Sequence, residues 1–148
     1  MTDQQLTHEI IGSAIEVHRA LGPGLLESAY EECIAKELAL RSICFERQKP
    51  MPLIYKDTKL DCGYRVDFIV DGRVVVELKS VEALAAIHDA IVLTYLRLSG
   101  CRIGLLINFN VSVLREGVRR LVLNYADPES DGLAPQRRRE RGVAESNG

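Results

Sequence analysis

The stretch from Val66 to Ser80, VDFIVDGRVVVELKS, decides how the rest of the chain is read. Two apolar runs rich in β-branched residues flank Asp71-Gly72, a dipeptide suited to tight hairpins because both positions tolerate positive φ. The pattern predicts strands over Tyr64–Val70 and Arg73–Lys79. Val74-Val75-Val76 marks a strand near the centre of a sheet, where a carboxylate or an ammonium is rare unless paired or bound to something. Asp67, Glu77 and Lys79 nevertheless occur here. Glu77 and Lys79 are two residues apart, so they share one face of their strand.

Two readings of the three charges are open. Lys79 can bridge one acid across the strands while the other acid is solvated. Alternatively, the two carboxylates hold a divalent cation, and Lys79 stands beside a metal-bound water. Hard oxygen ligands suit Mg²⁺, which takes one or two carboxylates and keeps several waters. Such an ion lowers the pKa of its water and shields charge on a phosphoryl group. Register discriminates. A strict two-residue turn would set Asp67 opposite Val76, on the face away from Glu77. One extra residue in the turn, or a bulge, would set Asp67 opposite Glu77.

Upstream, Leu6, Ile10, Ala14, Val17 and Leu21 recur at helical spacing and predict a helix from about Gln4 to Leu21. Gly22-Pro23-Gly24 ends it. A second helix is expected over Leu25–Leu40, with Leu26, Tyr30, Cys33, Ile34 and Leu38 on one side. Ile43–Tyr55 reads as an irregular strand kept partly at an edge by Pro50 and Pro52. Lys56-Asp57-Thr58 reads as a turn. Downstream, Glu82–Ser99 is again helical and ends at Gly100. Ile103–Phe109 (IGLLINF) suits a strand buried on both faces. A last helix is expected over Ser112–Tyr125, with Leu114, Val118, Leu121, Val122 and Tyr125 inward. The order is that of an α/β domain with a mixed sheet, since Lys79–Arg102 is a helical crossover long enough to join parallel strands.

Gly24-Leu25-Leu26-Glu27-Ser28-Ala29-Tyr30 has the form G-x-x-E-x-x-Y. With the following D…E-x-K and Gly104–Phe109 (GLLINF), it resembles the GxxExxY protein family of the PD-(D/E)xK nuclease-like superfamily. The resemblance covers roughly Leu6 to Val122. It implies a restriction-endonuclease-like αβββαβ core, a central mixed sheet flanked by helices, and a Mg²⁺-dependent phosphodiesterase site in which Mn²⁺ can stand in. It implies Asp67 and Glu77 as metal ligands, Lys79 as the residue that positions or activates the attacking water, and Glu27 as a further metal or water contact. The partner implied is DNA or RNA. Tyr30 shares a helix face with Glu27 but reads more simply as a core residue with its hydroxyl at the boundary. One departure stands out: related nuclease-like sequences often carry Q-x-x-x-Y on the helix after E-x-K, and here those positions are Ile91 and Tyr95. Isoleucine cannot hydrogen-bond a phosphate or a carboxylate. The alternative function is therefore a weakened or inactive nuclease-fold module that binds nucleic acid or serves as an accessory protein. His88, three residues before Ile91, is a candidate substitute polar group.

The bulk properties exclude other classes. The 148 residues, 47% hydrophobic and 27% charged, suit one soluble domain. A domain of this length buries about two-thirds of the surface its unfolded chain exposes. The boundaries read as one domain over 1–126 and a disordered tail over 127–148. From Asp127 to Gly148 there are four Arg against five Asp or Glu and almost no large apolar residues. The net charge of −2 gives no whole-protein attraction to a polyanion, so any phosphate contact must come from a local patch. Arg115, Arg119 and Arg120 are the candidates, on one side of the expected last helix, against a solvated-face alternative. No apolar run approaches the roughly 18 residues that cross a bilayer, and no membrane partner is expected. Cys33, Cys44, Cys62 and Cys101 form no C-x-x-C pair and read as reduced thiols of a cytoplasmic protein. His8 and His18 are ten apart and carry no assigned chemistry. Asn108 is expected to brace the sheet edge, and Gly104 to allow close helix packing. Apolar surface on a domain this small leaves room for a homodimer.

Overall fold

In a computed structural model, residues 1–123 are described. The tail expected from Asp127 onward lies outside them. Two helices come first, α1 (Asp3–Leu21) and α2 (Glu27–Leu40). Thr2 caps α1: its hydroxyl accepts from the Gln5 N–H, and the Gln5 side chain accepts in return from the Thr2 N–H. Gly22, at φ 71°, ends the helix as expected. The loop between the helices is latched by Tyr30, whose hydroxyl donates to the Gly22 carbonyl (2.5 Å) and accepts from the Leu25 N–H (3.2 Å). The Tyr30 ring is fully buried and stacks on Phe109 at 4.3 Å between centroids, so the structure places Tyr30 in the core.

Strands β1 (Phe45–Pro50), β2 (Leu53–Tyr55), β3 (Thr58–Leu60), β4 (Arg65–Val70) and β5 (Val74–Lys79) follow. Helix α3 (Ala86–Ser99), strand β6 (Ile103–Asn108), a 3₁₀ turn (Leu114–Gly117) and strand β7 (Val118–Val122) complete the order. The central sheet runs β1-β4-β5-β6-β7, parallel between β5 and β6 and antiparallel elsewhere. Strands β2 and β3 form a separate two-stranded ribbon.

The alternation of side chains along β5 explains the layering. Val74, Val76 and Leu78 join a core with Leu6, Ile10, Tyr30 and Leu38 of α1 and α2. Val75 joins the opposite core with Val92 and Leu96 of α3. All six residues of β6 are buried, as the continuous apolar run requires. A Cβ on Gly104 would lie 2.7 Å from Val92, so glycine is what lets α3 approach the sheet. The mixed α/β architecture expected from the sequence is the one observed.

The expected last helix is not. Its described part is a 3₁₀ turn followed by β7, because a residue pattern that fits a helix also alternates. Leu121 and Leu123 are buried in the α3-side core with Leu106. On the opposite side Val118 packs with Phe109 and Leu114, and Arg120 reaches Thr7 of α1. The β-branched residues and the unpaired edge of β6 favour the strand, since pairing satisfies the backbone donors and acceptors of β6. Gly117 is required at the entry: a Cβ there would run into the Asn108 carbonyl oxygen. Thr58, read as the end of a turn, instead begins the strand Thr58–Leu60; the turn is the two residues Lys56 and Asp57.

Candidate active site

The β4–β5 turn carries one residue more than Asp71-Gly72 alone would supply. Asp71 (φ 53°) and Gly72 (φ 67°) both lie in the left-handed region, and the Arg73 N–H donates to the Val70 carbonyl at 2.9 Å. The ladder, however, pairs Val70 with Val74, Ile69 with Val75 and Phe68 with Val76, leaving Arg73 as the extra residue. One step further along this register sets Asp67 opposite Glu77. The arrangement required of a two-carboxylate site is therefore present.

At that step the backbone ladder gives way to side chains. The Asp67 N–H donates to Glu77 Oε1 (2.7 Å), and the Leu78 N–H donates to Asp67 Oδ2 (2.9 Å). Each carboxylate thus takes a backbone donor from the opposite strand. Glu77 is only 6% exposed, although it is a carboxylate on an otherwise apolar strand. Burial first, and then the Asp67 charge beside it, push the Glu77 carboxyl up to about 8. Burial also raises Asp67, partly offset by the Leu78 N–H. Tyr95 of α3 faces the pair: its hydroxyl is raised by burial and then by the charges of Glu77 and Asp67.

None of the described ion pairs or hydrogen bonds involves the Lys79 ammonium. The cross-strand salt bridge, the plainer of the two sequence readings, is therefore not what occupies Lys79. Glu27 approaches from the α2 side, its Oε2 3.4 Å from the N–H of Ser80, the residue after Lys79. Ser80 Oγ donates to the Leu25 carbonyl (2.7 Å), tying the end of β5 to the loop before α2. Asn108, beside Lys79 in the parallel ladder, binds Val81 through both its side-chain oxygen (3.0 Å) and nitrogen (2.9 Å). It braces the sheet edge as expected, and with it the strand end that carries Lys79.

A buried Glu77 and a partly buried Asp67, with no cation inside hydrogen-bonding range and Lys79 near enough to favour their charged forms, make a donor set of hard oxygens with negative charge to share. Both properties fit a divalent ion such as Mg²⁺. Among the described residues no three His, Cys, Asp or Glu side chains stand close enough to make a ready-formed metal centre, so the chemistry centres on the Asp67–Glu77 pair. Residues 4–121 match the description PD-(D/E)XK nuclease superfamily. The chain belongs to that superfamily. No curated protein and no solved structure matches the chain.

Other nuclease-site candidates are not gathered here. Ile91 packs against the α3-side core, and His88 caps α3 by accepting the Ala85 N–H at 2.9 Å. His88 is therefore no substitute for the missing glutamine. The helix begins at this cap, four residues later than the apolar spacing predicts. The three arginines are dispersed, since their segment is not a helix. Arg119 pairs with Asp89 of α3 at 2.7 Å, Arg120 reaches Thr7 of α1 at 3.2 Å, and Arg115 lines a separate cavity with His18 and Arg19. Two site neighbours escaped the sequence reading. Gln48 of β1 donates to Glu31 (2.8 Å) and to Asp67 (3.1 Å), and Arg47 holds the other oxygen of Glu31 at 2.9 Å. No local motif announces Gln48, but its register position opposite Asp67 follows once β1 and β4 are paired.

Proposed function

We propose that this nuclease-superfamily protein is a metal-dependent phosphodiester hydrolase acting on DNA or RNA, with Asp67, Glu77 and Lys79 as its catalytic residues and Glu27 assisting. The reciprocal hydrogen bonding of Asp67 and Glu77, with a raised Glu77 and Lys79 close enough to act on both acids without bridging either, carries the reading. Asp67 and Glu77 would hold Mg²⁺ or Mn²⁺, and Glu27 would reach the ion or its water. The bound ion would supply an acidified water and charge shielding for the phosphoryl oxygens. Lys79 would position the attacking water; its oxygen would bond to phosphorus as the bond to the leaving oxygen breaks, and the proton lost by the water would end on the leaving oxygen. Glu77 must first lose its own proton, so metal binding releases protons and strengthens as pH rises through about 8.

The closer kinship with GxxExxY proteins rests on Gly24, Glu27 and Tyr30. We read the chain through residue 126 as one domain, able to pair with a second copy. A cytoplasmic setting suits its four free cysteines. None of the described helices is long and apolar enough to cross a membrane. One observation favours a second reading, a nuclease-fold binding or accessory module without turnover: Ile91 fills the usual glutamine position and packs, partly buried, against the α3-side core.

Purified protein incubated with single- and double-stranded DNA and RNA, under Mg²⁺, Mn²⁺ or EDTA, separates the two. Cleavage that needs metal and disappears in Lys79→Ala and Asp67→Ala is the expected result. Binding without cleavage under every metal condition establishes the accessory module instead.

A further inference from the structure

Gln48 sits in the middle of an edge strand at φ 50°, a left-handed conformation uncommon for any side chain other than Gly, Asn or Asp. The ladder between β1 and β4 is paired on both sides of it, Arg47 with Phe68 and Lys49 with Val66, but not at Gln48 itself. Neighbouring residues of a regular strand point to opposite faces. Here Arg47 and Gln48 both reach Glu31 of α2, at 2.9 and 2.8 Å, and the left-handed kink is what turns Gln48 toward it. The amide orientation is fixed by chemistry: both partners of Nε2 are carboxylate oxygens, which only accept. One N–H goes to Glu31 Oε1 and the other to Asp67 Oδ1 at 3.1 Å. Glu31 is itself clamped by Arg47, and Asp67 uses its second oxygen for the Leu78 N–H.

We infer that Gln48 is a positioning residue for Asp67: the kinked edge strand holds its amide between Glu31 and Asp67 and so fixes the carboxylate that the metal requires. The metal part of this inference rests on the proposed function; the anchoring of Asp67 does not. Backbone strain is characteristic of sites where the surrounding structure holds a group in place for chemistry. An amide anchored by an Arg–Glu pair orients Asp67 without adding a charge to it. Gln48 supplies its amide to Asp67 from β1, while the Leu78 N–H reaches Asp67 from β5 on the other side of β4.

Gln48→Gly tests this, because glycine accepts the left-handed backbone and removes only the amide. Gln48→Asn is the companion: it tolerates the same φ but is one methylene short. Three quantities are measured on the full chain: melting temperature, hydrogen exchange of the Leu78 amide without metal, and Mn²⁺ affinity by electron paramagnetic resonance. The expected result for both variants is an unchanged or higher melting temperature, Leu78 exchange at least tenfold faster, and Mn²⁺ binding at least tenfold weaker. Unchanged Leu78 exchange and Mn²⁺ affinity overturn the inference. A fall in melting temperature that accounts for the faster exchange overturns it too, as it assigns Gln48 a merely structural role. If the unaltered protein takes up no Mn²⁺, the metal reading fails, and Leu78 exchange alone still decides whether Gln48 anchors Asp67.

Discussion

Two hairpin turns in this molecule share a backbone and differ by one residue. Lys56 and Asp57 (φ 49° and 66°) join β2 to β3, and Asp71 and Gly72 (φ 53° and 67°) join β4 to β5. In the first, Tyr55 pairs with Thr58, so the turn is two residues and the register is tight. In the second, Arg73 is added and Val70 pairs with Val74. The strands of the first are largely exposed, whereas β5 is buried on both faces. A register step is therefore nearly silent in β2–β3, but in β4–β5 it decides whether Asp67 meets Glu77. Arg73 is held there by its own contacts: its guanidinium binds Asp71 (3.0 Å), Asp3 (2.9 Å) and the Met1 carbonyl (2.9 Å).

Deleting Val76 should have the largest effect. With the three-residue turn kept, Glu77 would lie opposite Phe68 and Asp67 opposite Leu78; with the turn cut to Asp71-Gly72, Asp67 would still meet Glu77 but Val74 and Val75 would be carried to the wrong faces. A loss of more than about 4 kcal/mol is expected, which belongs to the exceptional class of single changes. Urea denaturation would show an early or non-cooperative transition, and Mn²⁺ titration would show no binding. A deletion protein that folds normally and binds metal would show that register does not create the site.

Glu77→Gln sharpens the electrostatic side of the same contrast. The folded-state pKa of Glu77 is about 8, against a reference value of 4.5. The folded protein therefore holds this proton more tightly than the unfolded chain. Its contribution to stability is complete below about pH 4.5, fades as pH rises through 8, and is absent above that. Asp67, also raised, acts in the same direction. Metal-free protein should melt at a lower temperature at pH 9 than at pH 6, and Glu77→Gln should remove much of that difference, an effect on the order of a few kcal/mol. Mg²⁺ should raise the pH 9 melting temperature of the unaltered protein but leave that of the variant unchanged. Equal pH dependence in both would mean that Glu77 is not the buried titrating group.

These effects bear on what could be read in advance. The acid pair was legible because three charges interrupted a β-branched run, and Asp71-Gly72 marked where the register question lay. The α/β order was legible because α1, α2 and α3 carry clean helical spacing and β6 is continuously apolar. The segment Leu114–Val122 was not: Leu114, Val118, Leu121 and Val122 satisfy a helical face, and only the open edge of β6 and the tight fit at Gly117 select a strand. Gln48 was hidden for a related reason. Its role depends on a left-handed kink in an edge strand and on a partner 19 residues away, neither of which leaves a local pattern. The dispersal of Arg115, Arg119 and Arg120 follows directly from the misread helix.

Gly72→Ala should cost less than either change above. A Cβ at Gly72 would meet nothing within 4 Å, so the penalty comes from the positive φ alone. That places it at about 1–2 kcal/mol, with register and metal affinity unchanged. Thermal unfolding with a parallel Mn²⁺ titration checks both parts.

Deleting Lys59 from β3 should have the smallest effect, and it is the exposed counterpart of deleting Val76. With Lys56 and Asp57 kept as the turn, Tyr55 would still pair with Thr58, but Ile54 would move from Lys59 to Leu60. Ile54 and Tyr55 are already 59% and 58% exposed, and all of β3 is exposed, so the slip exchanges one solvated side chain for another. Stability should change by no more than about 0.5 kcal/mol, as for surface substitutions that disturb no special feature. Mn²⁺ affinity should stay the same, since neither Asp67 nor Glu77 moves. A large drop in either would mean that the outer ribbon packs on the site and helps to hold it, and register would then matter as much in an exposed hairpin as in the buried one.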